Sequence, residues 1–308
     1  MSSDSSIPPV PHGYALEPDL HRMLRGDPPA DALAWVCEQV GASHVAGVRA
    51  LPGGTSSAVH RVLLRSRDGS TQPVILRRYV MDWVADEPWT PGNEAEVLRL
   101  LTGTPIAAPR LLAADPEGSA TGTPTIVMSE LPGRVEWRPN DLDGWLRRLA
   151  EALPEVHAVP VAGAGLRRFA PYPPERPLPP GWSKYPAAWE RAIELFEGVQ
   201  PEVPQVFIHR DFHPGNVLWS QGRISGIVDW TSSCVGGAAA DVAHCRANLV
   251  GHFGQQVADR FLTMWMTVSG TSEYHPYWDL SDVLSWNGDD DRPDPTLDEF
   301  VAAAAARL

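Results

Sequence analysis

The chain has 308 residues, 43% of them hydrophobic, and a formal net charge of −13 at pH 7, so it can bury a sizeable core and is expected to form two lobes or domains. The acidic balance argues against a nucleic-acid partner, which would need clustered Lys and Arg. Three cysteines without metal-ligand spacing exclude a disulfide framework, and the lack of an export signal or of about 18 consecutive apolar residues predicts a cytoplasmic protein without a membrane span.

The N-terminal part of the chain changes from a polar leader to a run of strands. Residues 1–30 are rich in Ser, Pro and Asp and predict a loosely ordered leader. Asp31 is expected to cap a helix that runs to about Val40. Alternating apolar residues and short turns then predict an antiparallel meander of three strands, over 44–51, 57–65 and 73–80.

A glycine-containing turn joins the first two strands of this meander. It holds Gly53, Gly54, Thr55 and Ser56. Because the two glycines carry no side chains, the backbone N–H groups of such a turn can approach a phosphate closely. A glycine pair between strands is also common as a simple turn, so the sequence leaves both interpretations open.

A boundary between lobes is predicted near residue 132. The chain before it contains a predicted helix and two predicted strands, over 91–102, 109–113 and 124–129. Pro132 and Gly133 then break the last strand. Residues 31–131 are therefore expected to form one lobe and residues 132–308 the other.

The second lobe is expected to be mostly helical. Leucines recur with helical spacing and mark one buried face, at positions 142, 146, 149 and 153. Pro154 is expected to kink or end that helix. Residues 160–183 are crowded with Pro and Gly and predict an extended connection or lid. Further helices are predicted over 186–197, 253–268, 278–286 and 296–308.

A dense polar motif stands between predicted strands of the second lobe. Residues 207–219 read F-I-H-R-D-F-H-P-G-N-V-L-W and contain His209, Asp211, His213 and Asn216. The next strand ends in Asp229, so a short hairpin could bring both acids to one end of a small sheet. Phosphoryl transfer needs such a set, because one carboxylate takes the proton of the attacking hydroxyl while an amide and a second carboxylate hold Mg²⁺.

This pattern, H-x-D-x-x-x-x-N followed by a strand and D-W, resembles the aminoglycoside phosphotransferase and choline kinase-like family, which is related to the protein kinases. The resemblance implies an α+β, bilobal, protein kinase-like fold. Its N-terminal lobe would be an antiparallel β-sheet with one main helix, and its larger C-terminal lobe would be mostly helical. The resemblance further implies ATP or GTP and Mg²⁺ as cofactors. Asp211 would be the base, His209 would hold the catalytic loop, and Asn216 and Asp229 would be the metal ligands.

The resemblance also implies residues that contact the nucleotide. Arg77, in V-I-L-R, stands where the family usually has Lys, and it would meet the phosphates together with the turn 53–56. Glu94 would pair with that cation, and the linker between lobes would contact the adenine through Ser129, Glu130 and Leu131. The alternatives are that Arg77 is an ordinary strand surface charge and that Glu94 is solvated at the first turn of its helix.

The acceptor side of the resemblance is less defined. Asp241 is expected to brace the catalytic loop or cap a helix. The family places acceptor specificity in its C-terminal helices, where Asp282 and four further residues could wall a pocket: Tyr274, Tyr277, Trp278 and Asp279. The alternative is that these aromatic residues belong to the core and that the acids form a solvated face.

The function implied is an O-phosphotransferase that moves the γ-phosphate of a Mg-nucleotide to a hydroxyl of a small molecule, such as an aminoglycoside or another antibiotic. The acidic balance is compatible with a cationic acceptor, and the chain is expected to be a monomer or homodimer. One alternative is a metal-dependent hydrolase in which His209, Asp211 and His213 project from one strand face and bind Zn²⁺ with His244 or Asp229. Another is a non-catalytic nucleotide-binding pseudokinase, suggested by Arg77 in place of Lys.

Overall fold

The computed structural model describes residues 16–54, 56–174, 177–286 and 293–308. The chain divides into two compact units. The first consists of Met1–Trp137, Leu218–Ser220 and Ser225–Thr231, and the second consists of Arg138–Val217, Gln221–Ile224 and Ser232–Leu308. The first boundary between the units therefore follows Trp137. The sequence predicts this boundary a few residues earlier, near residue 132.

The first unit contains the predicted antiparallel meander. Its helices are α1 (Pro18–Arg25), α2 (Ala30–Val40) and α3 (Thr90–Leu101). Its main strands are β1 (His44–Ala50), β2 (Ala58–Arg65), β3 (Thr71–Arg78), β4 (Leu111–Asp115) and β5 (Thr125–Ser129). They form one sheet in the order β1-β2-β3-β5-β4, in which every pair is antiparallel. The alternating apolar residues meet on one face, where Val62, Leu64, Val74, Leu76 and Val127 pack with Val36 of α2.

Part of the expected leader is an ordered helix. Leu24 of α1 is fully buried, and Arg25 donates a hydrogen bond from Nη2 to the carbonyl oxygen of Gly54 at 2.6 Å. Residues 1–15 of the same segment lie outside the described residues. Helix α2 begins at Ala30 after Pro29, with Asp31 inside its first turn and no side-chain cap, so the prediction that Asp31 caps this helix is wrong. Pro29 occupies the N-cap position instead, with φ −56° and an extended ψ of 148°.

A second, smaller sheet is formed by β6 (Arg134–Val135), β8 (Val217–Ser220) and β9 (Arg223–Ile227), in the order β6-β8-β9. Gly133, at φ +105°, leads into β6, where an added Cβ would lie 2.7 Å from the carbonyl oxygen of Trp219. Only glycine allows this close approach without strain. The pairing of β6 with β8 explains why the first unit includes residues from the middle of the chain.

The second unit is mostly helical, as predicted. Its helices are α4 (Leu142–His157), α5 (Pro186–Glu197), α6 (Ala238–Phe253), α7 (Gln255–Ser269), α8 (Tyr277–Trp286) and α9 (Pro295–Ala305). Two short strands, β7 (Gln205–Ile208) and β10 (Cys234–Gly237), pair antiparallel within it. None of the helices in the described part of the chain is both long and apolar enough to cross a membrane.

Helix α4 tests one of the two effects predicted for Pro154. The helix continues past Pro154 to His157, so the prediction that this residue ends it is wrong, and a kink remains a prediction. Proline has no N–H to donate to the carbonyl of Ala150, so the helix loses one backbone hydrogen bond there. The fully buried Leu153 and Val156 on either side show that apolar packing offsets this loss.

Candidate active site

Several polar side chains of the first unit converge on Arg77 of β3. Its guanidinium donates from Nη1 to Glu94 Oε1 at 3.0 Å and to Asp229 Oδ1 at 2.7 Å, and from Nε to Ser57 Oγ at 2.8 Å. Only 5% of Arg77 is exposed, so the alternative of a strand surface charge is wrong. The ion pair with Glu94 of α3, which the family resemblance implies, is present.

Both partners in this ion pair have altered proton affinities. Burial opposes the charge of Arg77, but Asp229 and Glu94 raise the pKa of its guanidinium well above the ordinary value. Burial raises the pKa of Glu94, an effect that the positive charge of Arg77 reduces. The Tyr79 hydroxyl also donates to Glu94 Oε2. Glu94 is thus a buried member of an ion-pair network, and the alternative of a solvated helix surface is wrong.

Asp229 stands at the end of β9 with an unusual backbone. Its φ is +68°, a left-handed conformation that Asp tolerates better than most residues. Its Oδ1 accepts a hydrogen bond from Thr231 Oγ1 at 2.6 Å in addition to that from Arg77. The side chain is 26% exposed, so it is held by two donors and is still open to solvent.

The glycine turn is in contact with helix α1, which the sequence did not predict. Gly53 has φ +112°, and the carbonyl oxygen of Gly54 accepts the hydrogen bond from Arg25 of α1. Ser56 is half-buried, and Thr55 lies outside the described residues. The role of this turn toward phosphates remains a prediction.

The three linker residues each have a partner in the first unit. Ser129 Oγ accepts a hydrogen bond from the backbone N–H of Arg110 at 2.9 Å, and Glu130 forms an ion pair with Arg61 at 2.7 Å. Leu131 covers Gly226, where an added Cβ would lie 2.6 Å from the leucine Cδ1. These contacts fix the backbone of the strand end, and its role toward adenine remains a prediction.

The predicted site residues of the second unit include Asp211, which is surrounded by polar side chains. Its Oδ2 accepts a hydrogen bond from Asn216 Nδ2 at 2.9 Å, and its Oδ1 lies 2.9 Å from His244 Nε2 and 3.9 Å from His213 Nε2. Burial favours the neutral acid, but the hydrogen bond from His244 and the nearby histidine charges hold the pKa of Asp211 well below its usual range. The carboxylate is therefore ionised and oriented at both oxygens.

His244 of α6 is the functional residue that the sequence indicated least. Its Nδ1 lies 3.1 Å from Asp282 Oδ1, and its Nε2 faces Asp211. Burial opposes its charge, yet Asp282 and Asp211 raise its pKa to about 10. The sequence named His244 only as a possible zinc ligand in the hydrolase alternative, and the resemblance did not assign it.

Asp211, His213 and His244 could together hold a metal ion, because one ligand atom from each lies within 4.8 Å of the others. The hydrogen bonds argue against this. His213 Nδ1 accepts from the backbone N–H of Gly215 at 3.1 Å, which places the ring proton on Nε2, the nitrogen that faces Asp211. The expected extended strand is also wrong, since Arg210 has φ +70° and the segment is a loop, and His209 is not part of this cluster.

Asp241 braces the catalytic loop, as predicted. Its two carboxylate oxygens accept hydrogen bonds from the backbone N–H groups of His209 at 2.9 Å and Arg210 at 2.6 Å. The Oδ2 atom also lies 3.0 Å from Nε2 of His157, which the sequence did not place in the site. His209 itself is fully buried, and its Nδ1 accepts from the backbone N–H of Asp211 at 3.3 Å. These bonds hold the backbone of residues 209–211 in place.

The residues predicted to wall an acceptor pocket are mostly core. Tyr277 and Trp278 are 2% exposed, and Asp279 is fully buried. Asp279 forms ion pairs with the buried Arg246 and with Arg307, and its Oδ1 accepts from the hydroxyl of Tyr274 at 2.6 Å. Neither a pocket wall nor a solvated acidic face describes this network, which instead ties α6, α8 and the C-terminus together. Of the acids in this region, Asp282 faces the catalytic loop through His244.

The side chains predicted to bind Mg²⁺ carry suitable donors. Asn216 uses its Nδ2 for bonds to the carbonyl oxygen and Oδ2 of Asp211, which leaves its amide oxygen as the atom that could ligate a cation. Asp229 supplies a partly exposed carboxylate. Hard oxygen ligands of this kind are those that Mg²⁺ prefers.

The antiparallel sheet with its Arg–Glu pair and the helical unit with its H-x-D-x-x-x-x-N loop are features of kinase-like phosphotransferases. A family model described as the phosphotransferase enzyme family, APH, matches residues 47–277. Since this match covers well over half of the chain, the protein belongs to that family and has its kinase-like fold.

Individual relatives agree with this assignment. The N-acetylmuramate/N-acetylglucosamine kinase of Pseudomonas aeruginosa is 29% identical over 169 residues, which are 48% of this chain and 46% of that protein. The chain thus matches about half the length of this curated relative. Among solved structures, macrolide 2′-phosphotransferase MphH from Brachybacterium faecium aligns with a TM-score of 0.56 at 19% identity, over 83% of this chain and 88% of that chain. Aminoglycoside phosphotransferase APH(3″)-Id from Streptomyces rimosus aligns with a TM-score of 0.57 at 17% identity, over 83% and 98%.

Proposed function

We propose that this phosphotransferase uses a Mg²⁺-bound nucleoside triphosphate, ATP or GTP, and transfers its γ-phosphate to a hydroxyl of a small molecule. The observation that carries the nucleotide part of this proposal is the buried Arg77, held by Glu94 and Asp229. A buried, oriented guanidinium is a suitable partner for a phosphate, because its planar fork matches phosphate oxygens. Its permanent charge is compatible with activity, which weakens the pseudokinase alternative.

Asp211 is the base in this proposal. The acceptor hydroxyl gives its proton to the Asp211 carboxylate while its oxygen forms a bond to the γ-phosphorus. The bond from that phosphorus to the bridging oxygen breaks, and its electron pair leaves with the nucleoside diphosphate. A low pKa is no obstacle for Asp211, because in a loose transition state the proton moves late.

Asn216 and Asp229 are the proposed Mg²⁺ ligands. The ion, when bound, neutralises charge on the phosphates. Arg77 would add a fixed positive charge beside the same phosphates, and its ion pair with Glu94 would hold the guanidinium in place. Catalysis then rests mainly on positioning and charge neutralisation.

The acceptor class is a polyhydroxylated or amino-bearing small molecule. The relatives named above are an N-acetylmuramate/N-acetylglucosamine kinase, a macrolide phosphotransferase and an aminoglycoside phosphotransferase. The acceptors in these names all carry hydroxyl groups. A net charge of −13 favours the approach of cationic acceptors over anionic ones. An aminoglycoside or another amino-bearing antibiotic fits both considerations.

The test begins with nucleotide binding, which needs no knowledge of the acceptor. Titration calorimetry with Mg·ATP and Mg·GTP should show binding that is lost with EDTA and weakened by Asp229→Asn. A panel of amino sugars, aminoglycosides, macrolides and amino alcohols would then be screened with the bound nucleotide for phosphate incorporation. Failure of the folded protein to bind either Mg-nucleotide would contradict the proposal. Stoichiometric, tightly held zinc in the purified protein would instead favour a hydrolase.

A further inference from the structure

The side chain of His244 is enclosed by two carboxylates. Its Nδ1 lies 3.1 Å from Asp282 Oδ1, and its Nε2 lies 2.9 Å from Asp211 Oδ1. The amide nitrogen of Asn248 is farther from the same Nε2, at 3.3 Å, so Asp211 is the closer partner. Only 4% of the His244 side chain is exposed, and α6 carries it as a rigid element.

We propose that His244 is a positioning residue of the phosphotransferase reaction: Asp282 fixes the imidazolium ring, and the ring holds the Asp211 carboxylate in the orientation in which it meets the acceptor hydroxyl. This inference rests on the proposed function, since it assumes that Asp211 is the base. Neither partner of the ring belongs to the proposed metal ligands.

Asp282 gives the first reason for this assignment. Its Oδ2 is buried and has no hydrogen-bond partner in the described part of the chain, so its negative charge is compensated mainly through Oδ1 and His244. A buried carboxylate without a positive partner is costly, which favours two protons on the ring. Asp282 therefore acts on Asp211 through His244, in the same way that a carboxylate orients a metal-bound or catalytic histidine.

The second reason is that, within the part of the chain that the structure describes, His244 is the closest side-chain partner of Asp211 Oδ1. Asn216 holds Oδ2 at 2.9 Å, whereas the remaining neighbour of Oδ1, His213, is 3.9 Å away. Without His244, the Asp211 carboxylate would keep its hydrogen bond from Asn216 to Oδ2, but Oδ1 would be free to change position. The titratable groups that face His244 include Asp211 and His213 of the predicted catalytic loop and Asp282 of α8.

The experiment compares wild type with His244→Gln and Asp282→Asn. His252→Gln is the matched control, because His252 is exposed and lies on the same helix α6. Nitrogen NMR of the imidazole rings at pH 8 needs no ligand. We expect both ring nitrogens of His244 to be protonated in the wild type, and the titration midpoint to fall by about 2 pH units or more in Asp282→Asn.

The kinetic arm uses slow hydrolysis of Mg·ATP or Mg·GTP, with water as the acceptor. We expect His244→Gln and Asp282→Asn to lower kcat roughly 10- to 100-fold with little change in the nucleotide KM, the effect of a misplaced catalytic group. In Asp282→Asn the alkaline limb of the kcat profile should move to lower pH, and His252→Gln should change neither quantity. A structural role alone would not shift that limb.

Two results would overturn the inference. One is a neutral His244 ring in the wild type at pH 8, and the other is wild-type kcat and an unchanged pH profile in both variants while Asp211→Asn is inactive. Full activity of Asp211→Asn would instead refute the proposed base, which separates failure of this inference from failure of the proposed function. If His244→Gln does not fold, the NMR arm and Asp282→Asn still decide.

Discussion

At the scale of single residues, the two charged centres differ in how their charge is compensated. Arg77 has a buried acid on one side and a partly exposed one on the other, whereas Asp211 has histidines and an amide around it. In each case the charge is formed and oriented by side chains of the same unit. Substitutions at Asp211 are therefore expected to change mainly the rate of phosphoryl transfer, and substitutions at Arg77 mainly the free energy of unfolding.

Asp211→Asn should lower the rate of phosphoryl transfer by about 10²- to 10⁴-fold, the range of general-base contributions. The dissociation constant of the Mg-nucleotide should stay close to that of the wild type, because the amide keeps the shape and the bond to Asn216. Single-turnover transfer and calorimetry would measure the two effects. Equal, small losses in Asp211→Asn and Asp229→Asn would count against the assigned roles.

Arg77→Ala should destabilise the protein by roughly 3 kcal/mol, because it leaves Glu94 buried and without its cation. Urea unfolding would measure the difference. Arg49→Ala, at an exposed position of β1, should cost less than about 0.5 kcal/mol. Adding Glu94→Gln to Arg77→Ala should recover part of the loss, and a double variant no more stable than Arg77→Ala would contradict this explanation.

At the scale of elements, the sequence predicted the helices and strands in which apolar residues recur with a regular period and bury one face. The alternation in β2 and β3 and the pattern of α5 led to bounds close to those observed. Strands β2 and β3 each bury one face in the core of the first unit, and α5 buries Trp189, Ala192 and Ile193 along one face in the second. Strand β10 was missed because two of its four residues are glycines. At Gly236 an added Cβ would lie 2.6 Å from Phe169 Cβ, so the strand exists through packing that local propensity does not encode.

The residues of the candidate site could be predicted only where they belong to a sequence motif. Asp211, Asn216 and Asp229 stand in a recognisable order, whereas His244 gains its role from Asp282, which is 38 positions away in the sequence. The prediction of a pocket wall did not match the structure, for the opposite reason. A sequence of aromatic and acidic residues is the same whether the side chains line a pocket or form a buried ion-pair network. Asp279 is buried against Arg246 by the tertiary structure, which the local sequence does not specify.

The brace of the catalytic loop belongs to this scale, since it joins α4, α6 and the loop through Asp241. Asp241→Ala removes the acceptor of two backbone N–H groups and of His157, and should cost about 2–4 kcal/mol of unfolding free energy. Asp141→Ala, at the N-cap of α4, removes one backbone hydrogen bond and should cost about 1 kcal/mol. Urea denaturation would compare them, and similar losses would argue against a brace.

At the scale of the whole molecule, the raised pKa of His244 links stability to pH. Its folded pKa of about 10 lies above that of an unfolded histidine, about 6.5, so its contribution is fully present below the lower value and is lost as pH rises through the higher one. The difference in unfolding free energy between wild type and His244→Gln should therefore shrink from pH 6.5 to pH 10. A difference that is constant over this window would show that the ring is not charged in the folded state.

The Pro-rich stretch before α5 carries a further consequence. Arg210, with its left-handed backbone beside Asp211, places its guanidinium 4.3 Å from the ring centroid of Tyr172 and 5.4 Å from that of Phe169, and donates to the carbonyl oxygen of Ala170 at 2.7 Å. Changes in length or composition near Phe169 and Tyr172 would therefore shift Arg210 and, with it, the neighbouring Asp211. Homologues that differ in this stretch are expected to differ in how the Asp211 loop is placed.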